Sequence, residues 1–195
     1  MITLGEIARG VGGAVRLMKG DLSGLALLDR SREGFWRSFR PAVLLAPLYA
    51  FYLMMIYDGA TTASSDLRVA VAEGLRYVIE WTLFPVVLLE LSRLMGRAPR
   101  YIGSVVALNW ANIPLLIGVV ALAAATRLVA PDLVGAVELV ILVATLVLVT
   151  RILRFTLDVP WMPAVALAAL NLWLSLMLGL IVNGIIGFRF TDGSV

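Results

Sequence analysis

The chain has no cysteine, no histidine and, in 195 residues, a single lysine, Lys19. Each absence removes chemistry. Without a thiol there is no disulfide and no thiolate nucleophile; without imidazole there is no ordinary zinc site, histidine-ligated haem or histidine base. A serine–lysine dyad would have to use Lys19, outside every apolar run, and Gly103-Ser104 lacks the glycine-flanked elbow of hydrolases. The expectation is therefore a protein that is not an enzyme and carries no cofactor and no metal. Charge is also scarce: 15% of residues are ionisable Asp, Glu, Lys or Arg, whereas 61% are hydrophobic and the mean hydropathy is +0.97. Soluble domains sit near half apolar, so this chain is expected to live in lipid. The net charge of +3 comes mainly from basic residues in the first 40 positions and in short loops. That distribution suits anionic lipid headgroups and excludes a nucleic-acid groove.

What is present is organised around Tyr77 to Pro114. An apolar run (Tyr77 to Leu94) leads through a turn bearing Arg93, Arg97 and Arg100 into a second apolar run holding Asn109, Asn112 and Pro114. This is the pattern of a transmembrane hairpin whose polar residues face protein. The fold expected is all-α, a polytopic membrane bundle of five transmembrane helices with spans near 41–57, 77–94, 101–125, 133–149 and 161–188. An amphipathic, interfacial region occupies residues 1–40 and a short external tail residues 189–195.

In the N-terminal region Ile7, Val11, Val15 and Met18 recur at helical spacing, with Glu6, Arg9, Arg16 and Lys19 interspersed. Gly10, Gly12 and Gly13 weaken that helix by roughly 1 kcal/mol each, so it needs a membrane or protein surface to stay ordered. Charges recurring as far as Arg40 argue against a cleavable signal. Phe35, Trp36, Arg37, Phe39 and Arg40 read as an anchor at the headgroup layer, with rings at the interface and guanidinium groups on phosphates. Residues 58 to 76 read as a polar loop.

Acidic residues at mid-bilayer cost about 2.5–3.5 kcal/mol each, so Glu80 and Glu90 of the second span are expected to avoid lipid. Glu90 lies three residues before Arg93, the spacing of an inner-interface ion pair. Twelve basic residues fall on the side of the N-terminus and four on the other, which sets the N-terminus in the cytoplasm and the C-terminus outside. Counting along the helices then puts Glu80, Glu138 and Asn183 in the outer half and Asn109, Asn112 and Asn171 nearer the middle. These six form a candidate intramembrane polar site, in which Glu80 and Glu138 share a proton or bind a cation if their helices meet.

The topology, the sequence Gly96-Arg97-Ala98-Pro99-Arg100-Tyr101 leading to Asn109 and Pro114, and the junction from Arg151-Ile152-Leu153-Arg154 to Asp158-Val159-Pro160-Trp161 resemble the Yip1 family over residues 40–188. Leu25 to Phe39 looks like an N-terminal feature of uncharacterised proteobacterial membrane proteins. The resemblance implies a fold and a bacterial inner (plasma) membrane location, with no activity. Three functions follow: association with a membrane-protein partner or a second copy, a small transporter or channel subunit using the Glu/Asn path, or lipid binding and membrane shaping by the N-terminal helix.

Overall fold

The structure, a computed structural model, describes residues 3–57 and 60–190. The expected tail Thr191 to Val195 lies outside them.

Helix α1 (Leu4–Lys19) starts where the Thr3 hydroxyl accepts the Glu6 amide and stops at Gly20, whose φ of 91° turns the chain left-handed. A 3-10 turn (Leu22–Leu27) leads to α2 (Arg32–Arg37), capped by Ser31, and then to α3 (Arg40–Tyr57). Strand β1 (Ala60–Thr62) precedes α4 (Asp66–Leu94), and α5 (Tyr101–Val129), α6 (Val134–Leu157) and α7 (Trp161–Ile186) follow. Strand β2 (Phe188–Phe190) closes the described chain by pairing antiparallel with β1, Thr61 opposite Arg189.

Four stretches are long and apolar enough to cross a membrane: Arg32–Tyr57, Ala98–Val129, Pro131–Leu157 and Trp161–Ile186. Helix α4 has 29 residues but is not among them, because its apolar run also carries Glu80, Glu90 and Arg93. Other boundaries move too. The polar loop expected up to residue 76 is already helical from Asp66, since Leu67, Val71, Leu75 and Val78 continue the apolar stripe of α4 by a helical repeat. Helix α6 runs on to Leu157, so Arg151 and Arg154 lie on the helix and not in a loop.

Helix α7 packs between α4 and α6, α6 packs on α5, and α3 lies along α5. One core joins Phe84 and Leu88 of α4 to Val105 of α5, Leu153 and Leu157 of α6, and Ala164 of α7, with Phe35, Phe39 and Tyr101 against it. The other joins Ala14, Leu17 and Met18 of α1 to Val106, Ala107 and Trp110 of α5 and Ile152 of α6. The surface that orders α1 is therefore protein. Helix α1 comes close against α5 at Gly10, where a Cβ would stand 2.2 Å from the Trp110 ring. Both cores lie toward the basic end of the bundle. There Arg97 and Arg100 reach Asp158 at 3.6 and 3.1 Å, Arg154 stacks over Trp161 at 4.3 Å, and Arg151 donates to the Met18 carbonyl at 3.0 Å. The opposite end carries the β ribbon and the α5–α6 turn.

Candidate functional site: a polar cavity among the long helices

The two faces of α4 differ in kind. Leu67, Val71, Leu75, Val78 and Val86 are exposed, while Glu73, Arg76 and Glu80, three and four residues apart, turn toward α3 and α7. Glu73 is only 2% exposed, and it accepts hydrogen bonds from the hydroxyls of Tyr49 at 3.0 Å and Tyr57 at 2.8 Å. Arg76 donates from Nε to Glu80 at 3.1 Å and places Nη1 3.6 Å from Glu73. Ser175 of α7 donates its hydroxyl to the same Glu80 oxygen at 3.1 Å.

One guanidinium thus stands between two carboxylates, and the hydroxyls fill acceptor sites that water would otherwise take. Room for it comes from Gly179 of α7: a Cβ there would lie 3.2 Å from Nη2 of Arg76. The small-residue face of the last helix accommodates a cation at this point.

Beside this cluster is a cavity of about 580 Å³ among α3, α4, α5, α6 and α7. Five of the six residues expected to form an intramembrane site line it, namely Glu80, Glu138, Asn109, Asn112 and Asn171, together with Arg76, Thr145 and Ser175 and the rings of Tyr49, Tyr52, Tyr77 and Trp81. Asn183 does not line it. It lies in the last turn of α7, where its backbone carbonyl accepts the Gly187 amide.

Glu80 and Glu138 share the cavity, but each has its own cation: Arg127 donates to Glu138 at 3.2 Å across the α5–α6 turn. Among the described residues no hydrogen bond joins the two carboxylates, so the direct acid pair is replaced by two arginine-neutralised acids. Asn109 donates to the Ser38 hydroxyl at 3.0 Å, which ties it just ahead of α3, nearer the basic end than the middle.

The remaining expected residues lie elsewhere. Arg93 donates to Glu90 at 2.6 Å, with both side chains exposed at the basic end. In the aromatic anchor, the Phe35 ring lies 5.1 Å from Trp36 and 5.3 Å from Phe39, and Phe35 and Phe39 turn inward against the core. Trp36 is 72% exposed, Arg37 pairs with Glu33, and Arg40 lies 3.9 Å from Glu6.

Sequence reasoning missed Glu73, Arg76 and the two tyrosine donors. The signal was available in the helical repeat of Leu67, Val71, Leu75 and Val78, which puts Glu73 and Arg76 on the face opposite an apolar stripe. Comparisons with protein-family models, curated proteins and solved structures find no match for this chain.

Proposed function

We propose that this is an integral membrane protein of five crossings whose bundle binds, and passes across the bilayer, a small amine-bearing solute. The observation that carries the reading is the cavity itself, about 580 Å³ of space lined by two carboxylates, one guanidinium, three asparagine amides and several aromatic faces. Polar groups at membrane depth are costly and are kept where they serve a pathway. Glu73, Glu80 and Glu138 stand against two arginines, Arg76 and Arg127, so the cluster keeps one net negative charge that favours a cation, and the rings of Tyr49, Tyr52 and Trp81 suit an ammonium group.

The fifth crossing is α4. Its outward face is apolar and Glu73, Arg76 and Glu80 are turned inward, which removes the penalty that its composition suggests. The twelve-to-four asymmetry of basic residues supports a cytoplasmic N-terminus and an external C-terminus. Action by partner association alone would draw on the exposed faces of α6 and α7, which lipid covers equally well. The lipid-shaping reading has less to use, because the apolar face of α1 is occupied by the bundle.

The test is uptake into proteoliposomes of labelled ethanolamine, putrescine and choline, driven by an imposed proton gradient or a potassium diffusion potential. Accumulation above protein-free vesicles, lost in Glu80→Gln and Glu138→Gln, is expected. Folded wild-type protein that neither binds nor accumulates any of these amines refutes the proposal.

A further inference from the structure

A second cavity, of about 320 Å³, lies at the basic end between α1, α2 and the start of α3, with Trp110 of α5 in its wall. Three helices each contribute a guanidinium to it: Arg9 from α1, Arg37 from α2 and Arg40 from α3. Two carboxylates face the same space, Glu6 from α1 and Asp29 from the segment before α2. Neither pocket carboxylate is held closely by a pocket arginine. Glu6 and Arg40 stand 3.9 Å apart, the outer limit of an ion pair, and Asp29 is engaged mainly by Ser31, which donates its amide at 3.1 Å. Arg37 also pairs with Glu33 on the exposed rim.

With Glu33 counted, the acids balance the arginines, so a bare anion gains little from the pocket as a whole. Each carboxylate has arginines for neighbours, however, Arg40 beside Glu6 and Arg37 and Arg9 around Asp29, and a ligand carrying both signs matches such a set. Arg–phosphate contacts are strong and directional, and a primary ammonium can donate to two carboxylates at once.

We propose that this pocket binds a phosphate diester bearing a primary ammonium group, with the phosphate on the arginines and the ammonium on Glu6 and Asp29. That is the chemistry of an ethanolamine phospholipid headgroup or of the corresponding soluble diester. The surroundings suit the lipid: Leu4, Trp36 and Val43 are 86%, 72% and 77% exposed on the three helices that form the pocket, and offer apolar surface for acyl chains. The site is separate from the cavity of the proposed solute and does not depend on transport.

The experiment measures lipid binding to the purified full chain by native mass spectrometry, with phosphatidylethanolamine, phosphatidylcholine and phosphatidylglycerol of identical acyl chains. Wild-type protein is expected to prefer phosphatidylethanolamine by about tenfold over both, the equivalent of one charge-assisted hydrogen bond. Arg9→Gln should weaken all three lipids. Glu6→Gln should erase the preference over phosphatidylcholine. Circular dichroism and gel filtration establish that both variants are folded.

Soluble glycerophosphoethanolamine is added in a separate arm. Competition with the lipid supports the same headgroup chemistry supplied from the cytosol, and absence of competition alongside lipid binding supports the membrane as its source. Equal or tighter binding of phosphatidylglycerol, a preference unchanged in Glu6→Gln, or no binding of either the ethanolamine lipid or the soluble diester overturns the proposal.

Discussion

At the scale of single residues, Glu73 shows how little a charge discloses until its neighbours are known. In the sequence it belongs to a polar stretch with Asp66, Arg68 and Arg76. In the structure its two oxygens take up two tyrosine hydroxyls and lie within reach of Arg76. Removing this buried acid takes away two hydrogen bonds to a charged acceptor and leaves half-buried Arg76 with Glu80 alone, so Glu73→Ala is expected to cost roughly 3–5 kcal/mol. Tyr49→Phe, which deletes one hydrogen bond to a charged acceptor, should cost about 1.5–3 kcal/mol. Unfolding in nanodiscs measures both, and a Glu73→Ala protein as stable as wild type would mean that the cluster is not held as described.

A milder test lies outside the spans, at Asp29. The Ser31 hydroxyl and amide, in that order, hold its carboxyl below the ordinary value of 3.8, with Arg37 and Arg9 adding to the effect and burial opposing it. A lowered folded value means that this contribution is present above the ordinary carboxylate range and is lost as pH falls through the folded value. Carboxyl ¹³C shifts should therefore titrate below 3.8 in the wild type and move back upward in Ser31→Ala.

At the scale of elements, the helices were legible and their ends were not. A continuous apolar run located each long helix, because a segment that crosses lipid has to stay apolar for most of its length. It does not show where a helix stops once polar residues can be turned inward, hence the early start of α4 and the late end of α6. The amphipathic pattern of α1 was equally plain, but its meaning was not. Gly10 counts against a helix in isolation, and only the Trp110 ring beneath it shows that its missing side chain permits contact. Gly10→Ala is accordingly expected to push α1 off α5 at a cost of about 1–3 kcal/mol. Hydrogen exchange should then rise across Leu4–Lys19 and stay unchanged in α5–α7. The tie between the α4–α5 turn and Asp158 is of another kind, being exposed on both sides. Asp158→Asn should alter stability by no more than about 1 kcal/mol, less at high salt, in the same unfolding assay.

For the whole molecule, five crossings and their direction are open to a direct measurement that the sequence makes simple. Since the chain has no cysteine, every introduced thiol is the only one present. Ser65→Cys and Asp132→Cys should react with an impermeant maleimide added outside the cell, and Ala98→Cys should react only from the cytoplasmic side. All three positions are exposed. If Ser65→Cys and Ala98→Cys label from the same side, α4 does not cross and the proposed pathway loses a wall. What the sequence could disclose about the candidate site was its inventory of Glu80, Glu138 and the asparagines. The pairing was hidden, because which arginine neutralises which acid depends on how helices far apart in the chain come to lie side by side.

The β ribbon has a consequence for the order of assembly. Its first strand is synthesised after α3, whereas its partner emerges only when every described helix has been made. Phe188, from that late strand, sets its ring 5.3 Å from Tyr57, whose hydroxyl serves Glu73. The inward acid of α4 thus gains its complete set of supporting contacts only after β2 has been made and the Phe188 ring has packed against Tyr57.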